Sequence, residues 1–232
     1  MKRFFENVNV VDEENGFSIH LDGRPVKTPA RNGLILPTLQ LAQKIAAEWE
    51  NQGEEINPTT MPMNALAQGA LDQVVNERQR IVGRISAFAD SDMLYFRGDE
   101  NQPDLAAHQA KHWDPLLDWS RSRFDVSFKL VQGIMHESQS EDTIARLSAV
   151  VDSQDNFTLA AMLSLSGLTG SLIATLALVE KACDPTLIWE LSNLEELWQE
   201  QQWGSDELSQ AKRDSREVEY RAAVKFLQLS RT

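Results

Sequence analysis

Apolar positions along the chain fall into three regimes. In the first, residues 8–37, short apolar runs at 8–11, 17–21, 24–27 and 34–36 are separated by Asn15-Gly16, Asp22-Gly23 and Asn32-Gly33. Each of these pairs tolerates the positive φ of a tight hairpin turn, so the segment is predicted to be an antiparallel β-meander. Pro25 and Pro29 place their stretch at a sheet edge. Thr38 then reads as an N-cap, and Ala42, Ile45, Ala46 and Trp49 share one face of a helix that ends near Gly53 and covers the sheet.

From Thr59 the period is helical. Stripes at Leu66, Ala70, Val74 and at Ile81, Ile85, Phe88 precede an interruption at Asp90-Ser91-Asp92. Asp104, after Pro103, is predicted to cap a helix with Trp113, Leu116, Leu117, Ser120 and Phe124 inward. Residues 126–131 read as a short strand rejoining the N-terminal sheet. Ser140 caps a helix carrying Ile144, Leu147 and Val151.

The third regime is residues 156–179, 24 residues without a charge. Its length would span a bilayer. Thr158, Ser164, Ser166, Gly167, Thr169, Gly170, Ser171 and Thr175 make it too polar and breakable for lipid, and no Lys/Arg cluster or aromatic belt flanks it. It is read instead as two buried helices, 157–165 and 171–181, parted by a turn at 166–170. Helices apolar all round need neighbours all round, so the other helices are expected to wrap this pair.

Asp184-Pro185 opens the next helix, with Leu187, Leu191, Leu194 and Trp198 inward and a left-handed cap at Trp203-Gly204. Ser205 is predicted to cap the last helix. Asp206 and Glu207 stand in its first turn, where the helix dipole favours negative charge. Leu208, Ala211, Val218, Ala222, Phe226 and Leu229 form its expected buried side. The fold class is therefore α+β. A small N-terminal antiparallel β-meander domain with a covering helix, residues 1–60 with about 95 as the outer limit of the boundary, precedes a larger multihelical domain, residues 61–232.

Charge narrows the functional classes. A net charge of -13 over 232 residues excludes nucleic acid and anionic membrane surfaces as partners, since both require a basic footprint. Cys183 is the one cysteine, which leaves no disulfide framework or multi-thiolate metal site and suits a reducing compartment. Met1-Lys2-Arg3-Phe4-Phe5-Glu6 has no apolar core of a signal peptide, so a cytoplasmic location is expected.

No phosphate-cradling loop, dinucleotide turn or nucleophile elbow occurs. His108 and His112 lie one helical turn apart, with Asp104 a further turn back, the spacing of a zinc site. Gln109 stands where the metalloprotease motif places glutamate, so a solvated helix face is the plainer reading and no metal or cofactor is assigned. A metal-dependent enzyme built on this pair is the alternative. Asp90, Asp92 and Asp99 fit no cation loop and read as turn residues, and Cys183 beside Asp184 reads as inert.

The segment 184–207 stands apart. It holds seven carboxylates, no lysine or arginine, and three of the six tryptophans, Trp189, Trp198 and Trp203. Such a segment is either a helix with a solvated acidic face or a protein-binding surface, in which tryptophan anchors sit within an acidic rim that selects a partner.

Three stretches carry a family likeness. They are Leu21-Asp22-Gly23-Arg24-Pro25-Val26-Lys27-Thr28-Pro29 with Leu36-Pro37-Thr38 and Ala46-Ala47-Glu48-Trp49; residues 56–61 and 90–97 with Trp113-Asp114-Pro115-Leu116; and Leu194-Glu195-Glu196, Trp198-Gln199 and Gln202-Trp203-Gly204 with Glu207. In these the sequence resembles the assembly chaperones that hold the isolated alpha subunit of F-type ATP synthase. The resemblance implies a β-rich N-terminal domain, a multihelical C-terminal domain and no enzymatic activity. It also implies binding of the unassembled alpha subunit, which is kept from aggregating until the beta subunit replaces the chaperone. By the same resemblance Glu207 matches a glutamate linked to function and Trp49 the tryptophan of a Glu-Trp pair. Gly23, Pro29 and Trp113 are motif positions, and Trp189, Glu196, Glu200, Trp203 and Gly204 complete the expected partner surface. Relatives carry a His-Asp pair after the matched glutamate where this chain has Gln210-Ala211. Mitochondrial members carry a presequence, so this chain is expected to be a bacterial, cytoplasmic version. An adaptor binding some other protein through the same acidic segment is the remaining alternative.

Overall fold

In the computed structural model, which describes residues 1–231, the chain gathers into two compact units. The first comprises Met1–Arg78, Asp155–Ala161 and the chain from Arg221 onward; the second comprises Gln79–Gln154 and Met162–Tyr220.

In the first unit β1 (Val8–Glu13) and β2 (Gly16–Leu21) pair antiparallel, Val8 opposite Leu21 and Glu13 opposite Gly16. β3 (Arg24–Pro25) and β4 (Ile35–Leu36) both pair with β2, Pro25 opposite His20 and Leu36 opposite Phe17. The sheet is antiparallel, as predicted, but not a simple meander, because β4 returns to the central strand. Asp22 (φ 49°) and Gly23 (φ 78°) both take the positive φ that the β2–β3 turn requires. In the third turn the left-handed residue is Arg31 (φ 67°), not Asn32 or Gly33.

That third loop, which contains Pro29, is pinned from a distance. Asp72 accepts hydrogen bonds from the Thr28 hydroxyl (2.6 Å), the Asn32 amide (2.9 Å) and Ala30 N–H (3.0 Å). Asp72 lies in a π-helical turn, Gly69–Val74, between α2 (Pro62–Gln68) and α3 (Val75–Ser86). Such a widened turn re-aims the side chains it carries.

α1 (Leu39–Glu50) begins at Thr38, whose hydroxyl accepts from Leu41 N–H, and buries Leu41, Ala42, Ile45, Ala46 and Trp49, with the helix against β1 and β2. Its last turn clamps α2. Glu48 accepts from Met63 N–H (2.9 Å) and Asn64 N–H (2.8 Å), capping a helix whose N-cap residue, Met61, makes no side-chain cap bond. The neighbouring Trp49 indole donates to Asn64 Oδ1.

In the second unit β6 (Val131–Gln132) pairs parallel with β5 (Phe96–Arg97). The strand expected to rejoin the N-terminal sheet thus begins at the end of its predicted range and has a local partner. α4 (Phe88–Ser91), α5 (Pro103–Phe124) and α6 (Glu141–Asp152) follow in chain order. Asp104 lies in the first turn of α5 with Pro103 ahead of it and is not the N-cap; Gln102 holds that position and makes no side-chain bond.

The uncharged segment forms two buried helices, α7 (Asn156–Thr169), which contributes to both units, and α8 (Leu172–Val179) in the second. Gly167 stays helical, and the break falls at Gly170 (φ 66°) and Ser171, which caps α8. All eight residues of α8 are buried, with α4, α5 and α9 (Pro185–Ser192) around it. No described helix is long and apolar enough to cross a membrane.

Asp92 organises this region. Fully buried, it accepts from Leu94 N–H (3.0 Å) in the turn that follows it and from Ile173 N–H (3.0 Å) and the Ser171 hydroxyl (2.9 Å) at the start of α8. One carboxylate therefore caps two elements. Burial nonetheless outweighs these bonds and pushes its carboxyl up to about 6.

The helix predicted to run from Pro185 to Trp203 is interrupted at Asn193, which ends α9 and precedes α10 (Leu194–Trp203). The Asn193 amide donates to Trp189 O, a local bond that competes with helix continuation. Leu187, expected inward, is 43% exposed. α11 (Glu207–Ser230) starts one residue later than expected. Asp206, not Ser205, accepts from Ser209 N–H (3.0 Å), and Glu207 is the first helical residue.

Candidate functional site

α10 and the first half of α11, both in the second unit, are joined by an ionic clasp. Arg213 donates to both oxygens of Glu200 (2.8 and 2.9 Å) and to Glu196 (2.8 Å). Arg216 reaches the other Glu196 oxygen (3.0 Å) and Asn193 Oδ1 (2.9 Å). The Glu200 carboxylate holds the Arg213 guanidinium above its ordinary pKa. Arg216 lies over the Trp189 ring, which is tilted against Tyr220 at 5.0 Å, and the Tyr220 hydroxyl donates to Pro185 O.

This arrangement turns the helix around. Over the first half of α11, Arg213, Arg216 and Tyr220 make the contacts with α9 and α10, so the opposite face there, expected to be buried, points outward, whereas Phe226 farther along the same stripe is buried as expected. Leu208 is 73% exposed and Val218 68%, with Ala211 exposed between them. At the end of α10 Trp203 is 77% exposed. Gly204 reverses the chain there with φ 90° and ψ 162°, a conformation reserved for glycine and distinct from the predicted left-handed cap.

The predicted partner residues therefore divide. Trp203, Gly204 and Glu207 are exposed at the α10–α11 junction. Glu196 and Glu200 are not a free acidic rim, because Arg213 and Arg216 neutralise them. Trp189 is 6% exposed and belongs to the core. Leu208, Ala211 and Val218 were assigned to the core by periodicity. The signal that reverses them is a second stripe, Arg213, Arg216 and Tyr220, whose guanidiniums match the carboxylates of the preceding segment.

Trp49 and Trp113 are buried, and the Trp113 indole donates to Leu191 O (3.0 Å). Arg97 pairs with Asp114 (2.8 Å) within the second family-like stretch, and Gln109, which accepts from Gly98 N–H at the end of that stretch and donates to Glu195, links it to the third. The Gln109 that spoils a zinc motif is thus a buried link. His108 packs between His112 and Trp198, and burial holds its imidazole below the ordinary histidine pKa. Among the described residues no group of three His, Cys, Asp or Glu is placed to hold a metal ion, so the histidine pair lacks its third ligand. Cys183 is half-buried, and burial raises its thiol.

Known proteins share this architecture. The family model described as ATP12 chaperone protein matches residues 2–121. The crystal structure of Atp12 from Paracoccus denitrificans superposes with a TM-score of 0.93 at 33% identity, covering 99% of this chain and 98% of that one. The mitochondrial protein atp12 of Schizosaccharomyces pombe is 25% identical over 215 residues, 88% of this chain and 74% of its own length. With its sequence matched across the N-terminal half and its fold matched nearly end to end, this chain belongs to the ATP12 chaperone family.

Proposed function

We propose that the chain is a placeholder chaperone in ATP synthase assembly. It holds the unassembled alpha subunit against the α10–α11 surface, keeps it from aggregating, and yields it when the beta subunit arrives. It acts by binding alone, without a cofactor, in a bacterial cytoplasm. The observation that carries this reading is the outward apolar stripe of Trp203, Leu208 and Val218 beside Glu207.

The energetics suit a reversible hold. Burying three large apolar side chains contributes roughly 5–9 kcal/mol. Association costs of similar order, about 4–15 kcal/mol, offset most of it. Further contacts are needed for a stable complex, and a subunit offering a standard interface of about 1,600 Å² can displace the chaperone.

The test is light scattering of alpha subunit diluted from denaturant, with and without an equimolar amount of this protein. Suppression that beta subunit reverses is expected. The double variant Leu208→Asp, Val218→Asp should lose it while keeping the wild-type melting temperature. Suppression unaffected by the double variant would remove the stripe from the mechanism, and a complex that beta subunit cannot displace would favour the adaptor reading.

A further inference from the structure

The turns of the N-terminal sheet share a latent chemistry, and the structure treats them differently. Asn15-Gly16, Asp22-Gly23 and Asn32-Gly33 each set a side-chain carbonyl carbon beside a glycine N–H, with no Cβ on the glycine to keep the two apart. The glycine nitrogen can close a five-membered imide on that carbon, provided the side chain is free to rotate onto it.

Two of the three side chains are held. Asp22 accepts from the N–H groups of Glu6 (3.2 Å) and Asn7 (2.9 Å). The Asn32 carboxamide donates to Asp72 (2.9 Å), while the Asn32 N–H donates to the Thr28 hydroxyl (3.1 Å) and the Asn32 carbonyl accepts from Thr28 N–H (2.9 Å). Rotating Asn32 onto Gly33 therefore breaks a bond to a charged group, which slows closure about tenfold or more. Asn15 has no such tie. Exposure does not separate the two asparagines, since both are exposed, but the Asn15 carboxamide makes no hydrogen bond to any described residue. Gly16 pairs with Glu13 at the turn end of the β1–β2 ladder, so freeing its N–H takes a local opening and not an unfolding.

We propose that Asn15 is a site of spontaneous deamidation and isoaspartate formation, and that Asp72 protects Asn32 from the same reaction. The co-reactant is water. Gly16 N–H gives its proton to hydroxide and the nitrogen attacks Asn15 Cγ. A C–N bond forms, the Cγ–Nδ2 bond breaks, and Nδ2 leaves as ammonia after taking a proton from water. Water then opens the imide at either carbonyl. Cleaving the new Cγ–N bond leaves aspartate, and cleaving the original peptide bond leaves isoaspartate; nothing is oxidised or reduced.

Both products disturb the hairpin in which they form. The new carboxylate joins Asp12, Glu13 and Glu14 in a chain already at -13. Isoaspartate also lengthens the main chain by one methylene next to Gly16, which is packed on β4 so closely that a Cβ there would collide with Leu36 O. The modification is independent of the α10–α11 stripe, and its test does not require the alpha subunit.

The intact protein is incubated at about pH 8.5 and about 37 °C and followed by peptide mapping, in which deamidation adds about 1 Da and isoaspartate appears as a separate chromatographic peak. Free peptides of residues 12–18 and 29–35, incubated alongside, supply the rates without a fold. The fraction of the peptide rate retained in the protein should be at least about tenfold greater at Asn15 than at Asn32. Asn15→Gln should remove the product at this turn, because closure there would need a six-membered ring. Asp72→Ala should release Asn32 and raise its rate about tenfold while leaving Asn15 unchanged. The proposal is overturned if Asn15 retains no more of its peptide rate than Asn32, if Asn32 converts first, or if a folded Asp72→Ala protein leaves Asn32 as slow as before. The comparison of the two sites in the wild type decides the matter even if that variant does not fold.

Discussion

Replacing Asp92 by asparagine tests how the second unit is held together. In the wild type the carboxyl is pushed up to about 6 from 3.8 because burial penalises its charge more than its three hydrogen bonds favour it. A raised acid pKa means that the folded protein binds the proton more tightly than the unfolded chain does. Stability from this group is therefore fully present at low pH and is lost as pH rises from the unfolded value through the folded one. A shift from 3.8 to about 6 corresponds to about 3 kcal/mol in all. Of this, about 1.4 kcal/mol is lost between pH 5 and 7.5, a range above the sequence pI of 4.7. The assay is urea denaturation of wild type and Asp92→Asn across that range, since subtracting the two cancels the other titrating groups. The wild-type advantage should shrink by about 1–2 kcal/mol as pH rises, on top of a constant cost for turning the asparagine NH2 toward Ile173 N–H. An advantage that grows with pH would mean the three donors prevail over burial and would refute the argument.

Substitutions at two further positions probe the α10–α11 junction. Arg213→Ala leaves Glu196 and Glu200 facing each other without their shared cation, and should cost about 1–3 kcal/mol in urea denaturation. Arg213→Lys should recover less than half of that loss, because an ammonium cannot reproduce the two-pronged contact with Glu200. At Gly204 no atom lies within 4 Å of where a Cβ would stand, so Gly204→Ala should be destabilising by about 1–3 kcal/mol through backbone strain alone. Gly204→Asn should be equally poor, whereas a left-handed cap would tolerate asparagine.

Much of the fold was legible because its signals are local. The turn at Asp22-Gly23 and the helix caps at Thr38, Ser140 and Asp184 are each set by residues within four positions, and each is legible as a turn or a cap. The long uncharged segment announced its burial through composition. What was missed depends on distant partners. Asp92 looked like turn chemistry, yet its second role lies at Ser171 and Ile173, 79 and 81 residues away. Asp72 binds a loop 40–44 residues upstream of it.

α11 illustrates a different limit. Its apolar periodicity was real, but periodicity reports that a stripe exists and not which way it faces. Direction was set by Glu196 and Glu200, which draw Arg213 and Arg216 inward and leave Leu208 and Val218 outside. At Asn193 neither glycine nor proline marks the break, so the helix looked continuous. The acidic segment was legible as unusual, but its charges act mainly within the chain.

The composition of the first unit also governs when this protein can finish folding. Thr38, at the entrance to α1, donates its hydroxyl to the carbonyl of Leu229, 191 residues later, and Phe226 stacks on Phe157 in the same unit. At a synthesis rate of about 5–20 residues per second, the N-terminal sheet and its covering helix wait roughly 10–40 s for these last partners. Residues of the second unit, complete at Tyr220, are all available sooner. The part of the chain made first is therefore closed last, and during that interval its exposed apolar surface is as much in need of protection as any orphan subunit.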